Sequence, residues 1–181
     1  MSDLLQGLNV YLIGMMGSGK TTIGKHLAQQ LQYRFIDTDG TIETIAKKSI
    51  PAIFEESGES SFRQLETQVL DCLSSYTRSV VSTGGGTIQL PMNWSYLRNG
   101  LVVWLDVDVE ILKKRVAQNE NRPLAGKLES LLEARLPLYA QADLRVSTKP
   151  KQSPSEVAAK IIELIPSVLK SQVEQNSFSC Y

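Results

Sequence analysis

Residues Tyr11 to Leu31, YLIGMMGSGKTTIGKHLAQQL, pass from an apolar run through glycines, a lysine and two threonines into a helix-patterned segment. Gly14, Gly19, Lys20 and Thr21 fit G-x-x-x-x-G-K-[ST], with a strand pattern before them and a helix pattern after. That context restricts the chain to folds in which a buried strand hands directly to a helix through a backbone turned inward. Glycines let consecutive N–H groups face one anion, the helix N-terminus adds its dipole, and a lysine reaches the outer phosphates. The expected ligand is a nucleoside triphosphate, held by Gly17, Ser18, Gly19, Lys20, Thr21 and Thr22, with the Thr21 hydroxyl offered to Mg2+.

The rest of the pattern is consistent with that start. Short apolar runs occur at Val10 to Ile13, Phe35 to Ile36, Val80 to Val81, Leu101 to Leu105 and around Val146. Such unalternating runs suit strands buried on both faces. Helical periodicity marks Lys20 to Leu31, Ser61 to Ser74, Val109 to Ala117, Leu128 to Arg135 and Pro154 to Leu169, and two shorter helices split near Pro51 between Gly40 and Glu56. Alternating strands and helices predict an α/β fold, a three-layer αβα sandwich around a five-stranded parallel sheet. With 181 residues one core suffices. A single domain is expected over residues 1–170, followed by a disordered tail at 171–181 where periodicity is lost.

Charge narrows the partners. Nineteen basic and 19 acidic side chains cancel, so no global field favours nucleic acid or an anionic membrane, and any bound anion needs a local site. Cys72 and Cys180 lack metal-ligand spacing, the N-terminus is acidic, and no apolar stretch approaches ~20 residues. These features lead to the expectation of a cytoplasmic protein without an export segment, and the chain's size, with no obvious extra apolar face, to the expectation of a monomer.

Several other residues carry candidate chemistry. FIDTDG places Asp37 and Asp39 two apart at a strand end, where one carboxylate suits Mg2+ held through water and the other suits orienting an attacking alcohol. The plain alternative is that Asp39 caps the next helix. Arg63 and Glu66 share a helix face and on their own read as an exposed ion pair. Gly84, Gly85 and Gly86 close a strand, where backbone N–H groups can approach a small ligand. Arg122 lies in AQNENRPLAG, a loop suited to closing over a triphosphate, and Arg135 precedes Pro137, where a helix should end or kink. Asp106 in LVVWLDVD matches a metal-binding strand-end aspartate but comes late in the chain; with Asp108 it suits a helix start.

In order, GMMGSGKTTIG, DTD, SIPAIFEESGESSFRQLE, STGGG, NRPL and RLPLY resemble shikimate kinase, a family of P-loop kinases of the nucleoside-monophosphate-kinase type, over about residues 8–165. The resemblance implies transfer of the ATP γ-phosphoryl group to the 3-hydroxyl of shikimate in aromatic amino-acid biosynthesis. It also implies a substrate region at about 38–66 and a mobile lid at about 117–127. Lys20, Asp39 and Arg122 would be catalytic. Asp39, Arg63, Glu66, Gly84, Gly85, Gly86 and Arg135 would bind shikimate, and Arg115 would stack by the adenine. Thr21 and Asp37 would hold one Mg2+. A gluconate-kinase-like enzyme and a catalytically inactive binding protein are the alternatives. A GTPase is disfavoured, since no Asn-Lys-x-Asp segment is present.

Overall fold

The computed structural model describes residues 4–117, 128–149 and 151–177. Five strands, β1 (Val10–Ile13), β2 (Arg34–Asp37), β3 (Ser79–Ser82), β4 (Leu101–Asp106) and β5 (Leu144–Ser147), form one parallel sheet in the order β2-β3-β1-β4-β5. Among the described residues seven α-helices accompany them: α1 (Lys20–Leu31), α2 (Thr38–Ala46), α3 (Ile50–Ser74), α4 (Pro91–Leu97), α5 (Val109–Ala117), α6 (Leu128–Tyr139) and α7 (Pro154–Ser177).

The two-residue period of a strand divides the core. On β1, Tyr11 and Ile13 face a cluster shared with Phe62, Leu70, Trp94 and Leu112, whereas Val10 and Leu12 face Ile23, Leu27, Ala158 and Ile161. Neighbouring β4 does the same, with Val102 and Trp104 on the first side and Leu101, Val103 and Leu105 on the second. Helices α1 and α7 therefore cover one face, and α3, α4, α5 and α6 cover the other. This is the three-layer α/β architecture expected from the alternation of runs.

Four boundaries differ from expectation. The split expected near Pro51 falls earlier: Lys47 turns left-handed (φ 53°) and ends α2, and Ser49 caps α3 by accepting from the Ala52 N–H. Pro51 then lies in the first turn, where its missing N–H costs nothing. From there α3 runs through the segment read as a separate helix, bent at Gly58, whose φ of 76° and ψ of 173° suit glycine. Pro137 does not end α6, because the Ala140 N–H still reaches the Leu136 carbonyl at 2.9 Å. Helix α7 continues to Ser177, through residues where a disordered tail was expected. Short α4 and the 3-10 turn Thr87–Gln89 carried no periodic signal.

Candidate active site

The phosphate loop has the backbone its sequence demands. Gly14, Gly17 and Gly19 take φ values of 146°, 80° and 90°, and a Cβ at Gly14 would meet the Leu105 carbonyl at 2.8 Å. Gly19 is the N-cap of α1 and no side chain caps it, so the first-turn N–H groups remain available to an anion. Lys20 is buried and donates to the Gly14 and Met15 carbonyls at 2.8 and 3.0 Å, which holds the ammonium inside the loop. Ser18 is buried, Thr22 is exposed, and Arg115 donates to the Gly17 carbonyl at 3.1 Å across the loop. Arg122 and the expected lid fall mostly outside the described residues.

Asp37 serves both halves of the site. Its Oδ2 accepts from the Thr21 hydroxyl at 2.8 Å, and its Oδ1 accepts from the Asp39 and Gly40 N–H groups, capping α2. The cap considered for Asp39 therefore belongs to Asp37, and Asp39 sits in the first turn of α2. Ser82, not anticipated from sequence, places its hydroxyl 3.4 Å from that of Thr21. No group of three or more His, Cys, Asp or Glu able to hold a metal exists among the described residues. One hydroxyl, one carboxylate and open space beside a phosphate loop fit Mg2+, which keeps several waters and completes its shell with phosphate oxygens. Asp106 pairs instead with Arg145 at 2.8 Å, while Asp108 accepts from the Glu110 N–H at the start of α5.

The second half gathers residues from distant segments. Glu66 is fully buried; its Oε2 accepts from Arg63 at 2.9 Å and its Oε1 from the Thr87 hydroxyl. The pair read as an exposed ion pair is thus half-sunk, with Arg63 also tied to Glu59 at 3.0 Å. The triple glycine makes room for these side chains. A Cβ at Gly84 would lie 2.5 Å from Glu66 Oε1 and 2.9 Å from Asp39 Oδ1, and one at Gly86 would lie 2.5 Å from Arg63 Nη2. Gly84 gives its own N–H to Thr38 Oγ1 at 3.1 Å, a buried bond that pins the glycines to the start of α2. Arg135 is buried and donates through Nη1 to the Gly85 carbonyl at 3.0 Å.

Two buried polar atoms in this half have no hydrogen-bond partner among the described residues: Asp39 Oδ1 and Arg135 Nε. Burial, reinforced by Asp37, Glu66 and Glu43, pushes the Asp39 carboxyl up from 3.8 to about 6, against the pull of Lys20. Native chains rarely leave such groups unsatisfied without a purpose. Thr38, Ser82, Thr87 and Tyr139 were missed in the sequence, since each is recognisable only through contacts made across the fold.

A parallel five-stranded sheet, a phosphate loop opening its first helix, and a carboxylate facing that loop define an ATP-type phosphotransferase of the P-loop kinase class. The shikimate kinase family model matches residues 16–166. A shikimate kinase of Trichormus variabilis is 56% identical over 176 residues, covering 94% of this chain and 97% of that one. One of Microcystis aeruginosa is 54% identical over 172 residues, covering 92% and 90%. Among solved structures, shikimate kinase from Acinetobacter baumannii in complex with shikimate superposes with a TM-score of 0.86 at 41% identity, covering 91% of this chain and 96% of that chain. An APS kinase of Mycobacterium tuberculosis shares the fold at 15% identity and a TM-score of 0.57. The chain belongs to the shikimate kinase family.

Proposed function

We propose that this protein transfers the γ-phosphoryl group of ATP directly to the 3-hydroxyl of shikimate, giving ADP and shikimate 3-phosphate. The observation that carries the reading is the pair of unpartnered buried atoms, Asp39 Oδ1 and Arg135 Nε, around one glycine turn. The first is an acceptor suited to the proton of an alcohol, and the second a cationic donor of the kind that binds a carboxylate. A hydroxy acid satisfies both at once.

The phosphate-loop amides and Lys20 hold the triphosphate, with Lys20 exchanging loop carbonyls for phosphate oxygens. Thr21 and Asp37 would hold Mg2+, which would supply charge neutralisation on the phosphates. Asp39 orients the acceptor hydroxyl and takes its proton; a carboxyl with a pKa of about 6 is ionised near neutral pH yet basic enough to do so. Arg63 and Arg135 bind the acceptor carboxylate, and Glu66 fixes Arg63. Arg122, outside the described residues, would supply the cation that stabilises the transferring phosphoryl group, while Arg115 flanks the nucleotide. Displacement is in line without a phosphoenzyme; His26 lies within α1, away from the loop glycines.

The protein works as a cytoplasmic monomer. No described helix is long and apolar enough to cross a membrane. The test is ADP release from Mg2+-ATP with shikimate, gluconate or nucleoside monophosphates. Strong stimulation by shikimate alone is expected, and equal stimulation by gluconate would discard the acceptor pocket.

A further inference from the structure

Tyr139 was no part of the expected site, yet it ends in it. It lies four residues after Arg135 on α6, so the two side chains share one helix face. Pro137 between them is exposed, which keeps the backbone gap left by its missing N–H on the outer surface. The Tyr139 ring is fully buried and stacks on Trp104 of β4, with centroids 5.6 Å apart and planes 14° apart. Its hydroxyl donates to the Gly85 carbonyl at 3.1 Å, beside the Met15 thioether at 3.4 Å. That carbonyl also accepts Arg135 Nη1 at 3.0 Å. One oxygen therefore takes two donors that reach it from the same helix.

We propose that Tyr139 is a positioning residue for the acceptor carboxylate, acting through the Gly85 carbonyl and Arg135. The geometry gives it two tasks. By bonding the carbonyl, the hydroxyl fixes the tilt of the Gly85 peptide and so the direction in which Arg135 Nη1 is drawn. With Nη1 committed there, the guanidinium cannot rotate freely, and its Nε is held in place, buried and without a hydrogen-bond partner among the described residues. The stack on Trp104 anchors the ring to the sheet, so the position of the clamp is referred to a rigid strand. Burial pushes the Tyr139 phenol up to about 12, so it remains a donor throughout the working pH range.

The inference rests on the reading of Arg135 as a carboxylate ligand, and the experiment separates the two. Steady-state kinetics are measured for the wild type, Tyr139→Phe, Arg135→Ala and the double variant, with thermal midpoints alongside. Phenylalanine keeps the ring and its stack and removes only the hydroxyl. Tyr139→Phe is expected to raise the KM for shikimate about 3–10-fold, the range for one neutral hydrogen bond, with the KM for ATP unchanged and kcat nearly so. In the Arg135→Ala background the same substitution is expected to add nothing, since the group it positions is gone. An unchanged shikimate KM in Tyr139→Phe, a parallel loss for both substrates, or the same increment with and without Arg135 overturns the inference. If Arg135→Ala itself leaves the shikimate KM untouched, the carboxylate reading fails first.

Discussion

The two halves of the site solve opposite problems. On the nucleotide side nearly every proposed ligand comes from one contiguous stretch, residues 14–22, and two of its side chains are partnered within the protein: Lys20 on loop carbonyls, Thr21 on Asp37. On the acceptor side Asp39, Arg63, Glu66, Gly84 to Gly86 and Arg135 arrive from four segments, and two of their atoms are buried without partners. The first half holds its geometry by internal hydrogen bonds. The second is kept in place by Glu66, Thr87, Thr38 and Tyr139 while its working atoms stay unsatisfied, a strain typical of functional sites.

The two aspartates of DTD express this contrast within three residues. Replacing Asp39 by asparagine is expected to lower kcat by ~10²-fold or more, the range for losing a general base. A variant that turns over at the wild-type rate would remove Asp39 from the chemistry. Next in size is Arg63→Ala, which strands the buried Glu66 carboxylate and should cost roughly 3–5 kcal/mol in urea unfolding. An unchanged midpoint would mean that Glu66 finds solvent or another partner.

The pH dependence of stability sharpens the comparison further. Asp39 rises from 3.8 to about 6 on folding, so its proton is held more tightly by the native state. Its contribution is therefore fully present below pH 3.8 and is lost as the pH rises through 6. Asp39→Asn abolishes that loss, and the inactive variant should be more stable than the wild type by about 2–3 kcal/mol at pH 8, with the gap narrowing toward pH 4. Urea denaturation at both pH values checks it; a less stable variant at pH 8 would contradict the raised carboxyl. Asp37→Ala, two residues earlier, should do the reverse and destabilise by ~1 kcal/mol through loss of the α2 cap. Lys48→Ala, which breaks an exposed pair with Glu56, should move the midpoint by less than ~1 kcal/mol.

The same contrast explains what the sequence disclosed. The phosphate loop is a local code: spacing, glycine φ values and a following helix are all properties of adjacent residues, and Gly14 to Thr21 behave as their pattern requires. The strands were legible because runs such as Val10 to Ile13 are apolar on both faces. Short α4 was not, because seven residues carry too little periodicity, and the helix limits at Pro51 and Pro137 depended on whether each proline fell in a first turn or on an exposed face. In the acceptor half the motif residues could be picked out, but their states could not. That Glu66 is wholly buried, that Asp37 and not Asp39 is the cap, and that Tyr139 reaches Gly85 follow from contacts between segments 21 to 54 positions apart or from the turn where β2 meets α2.

The central claim is that the acceptor half is built for a carboxylate beside an alcohol. It is tested most directly by comparing kcat/KM for shikimate and its methyl ester with the wild type and Arg135→Ala. The ester keeps the ring hydroxyls and removes the negative charge. The account predicts that the wild type loses ~10²-fold or more on the ester, in line with breaking a charge-assisted bidentate contact, and that Arg135→Ala discriminates far less. Equal use of acid and ester by the wild type would contradict it.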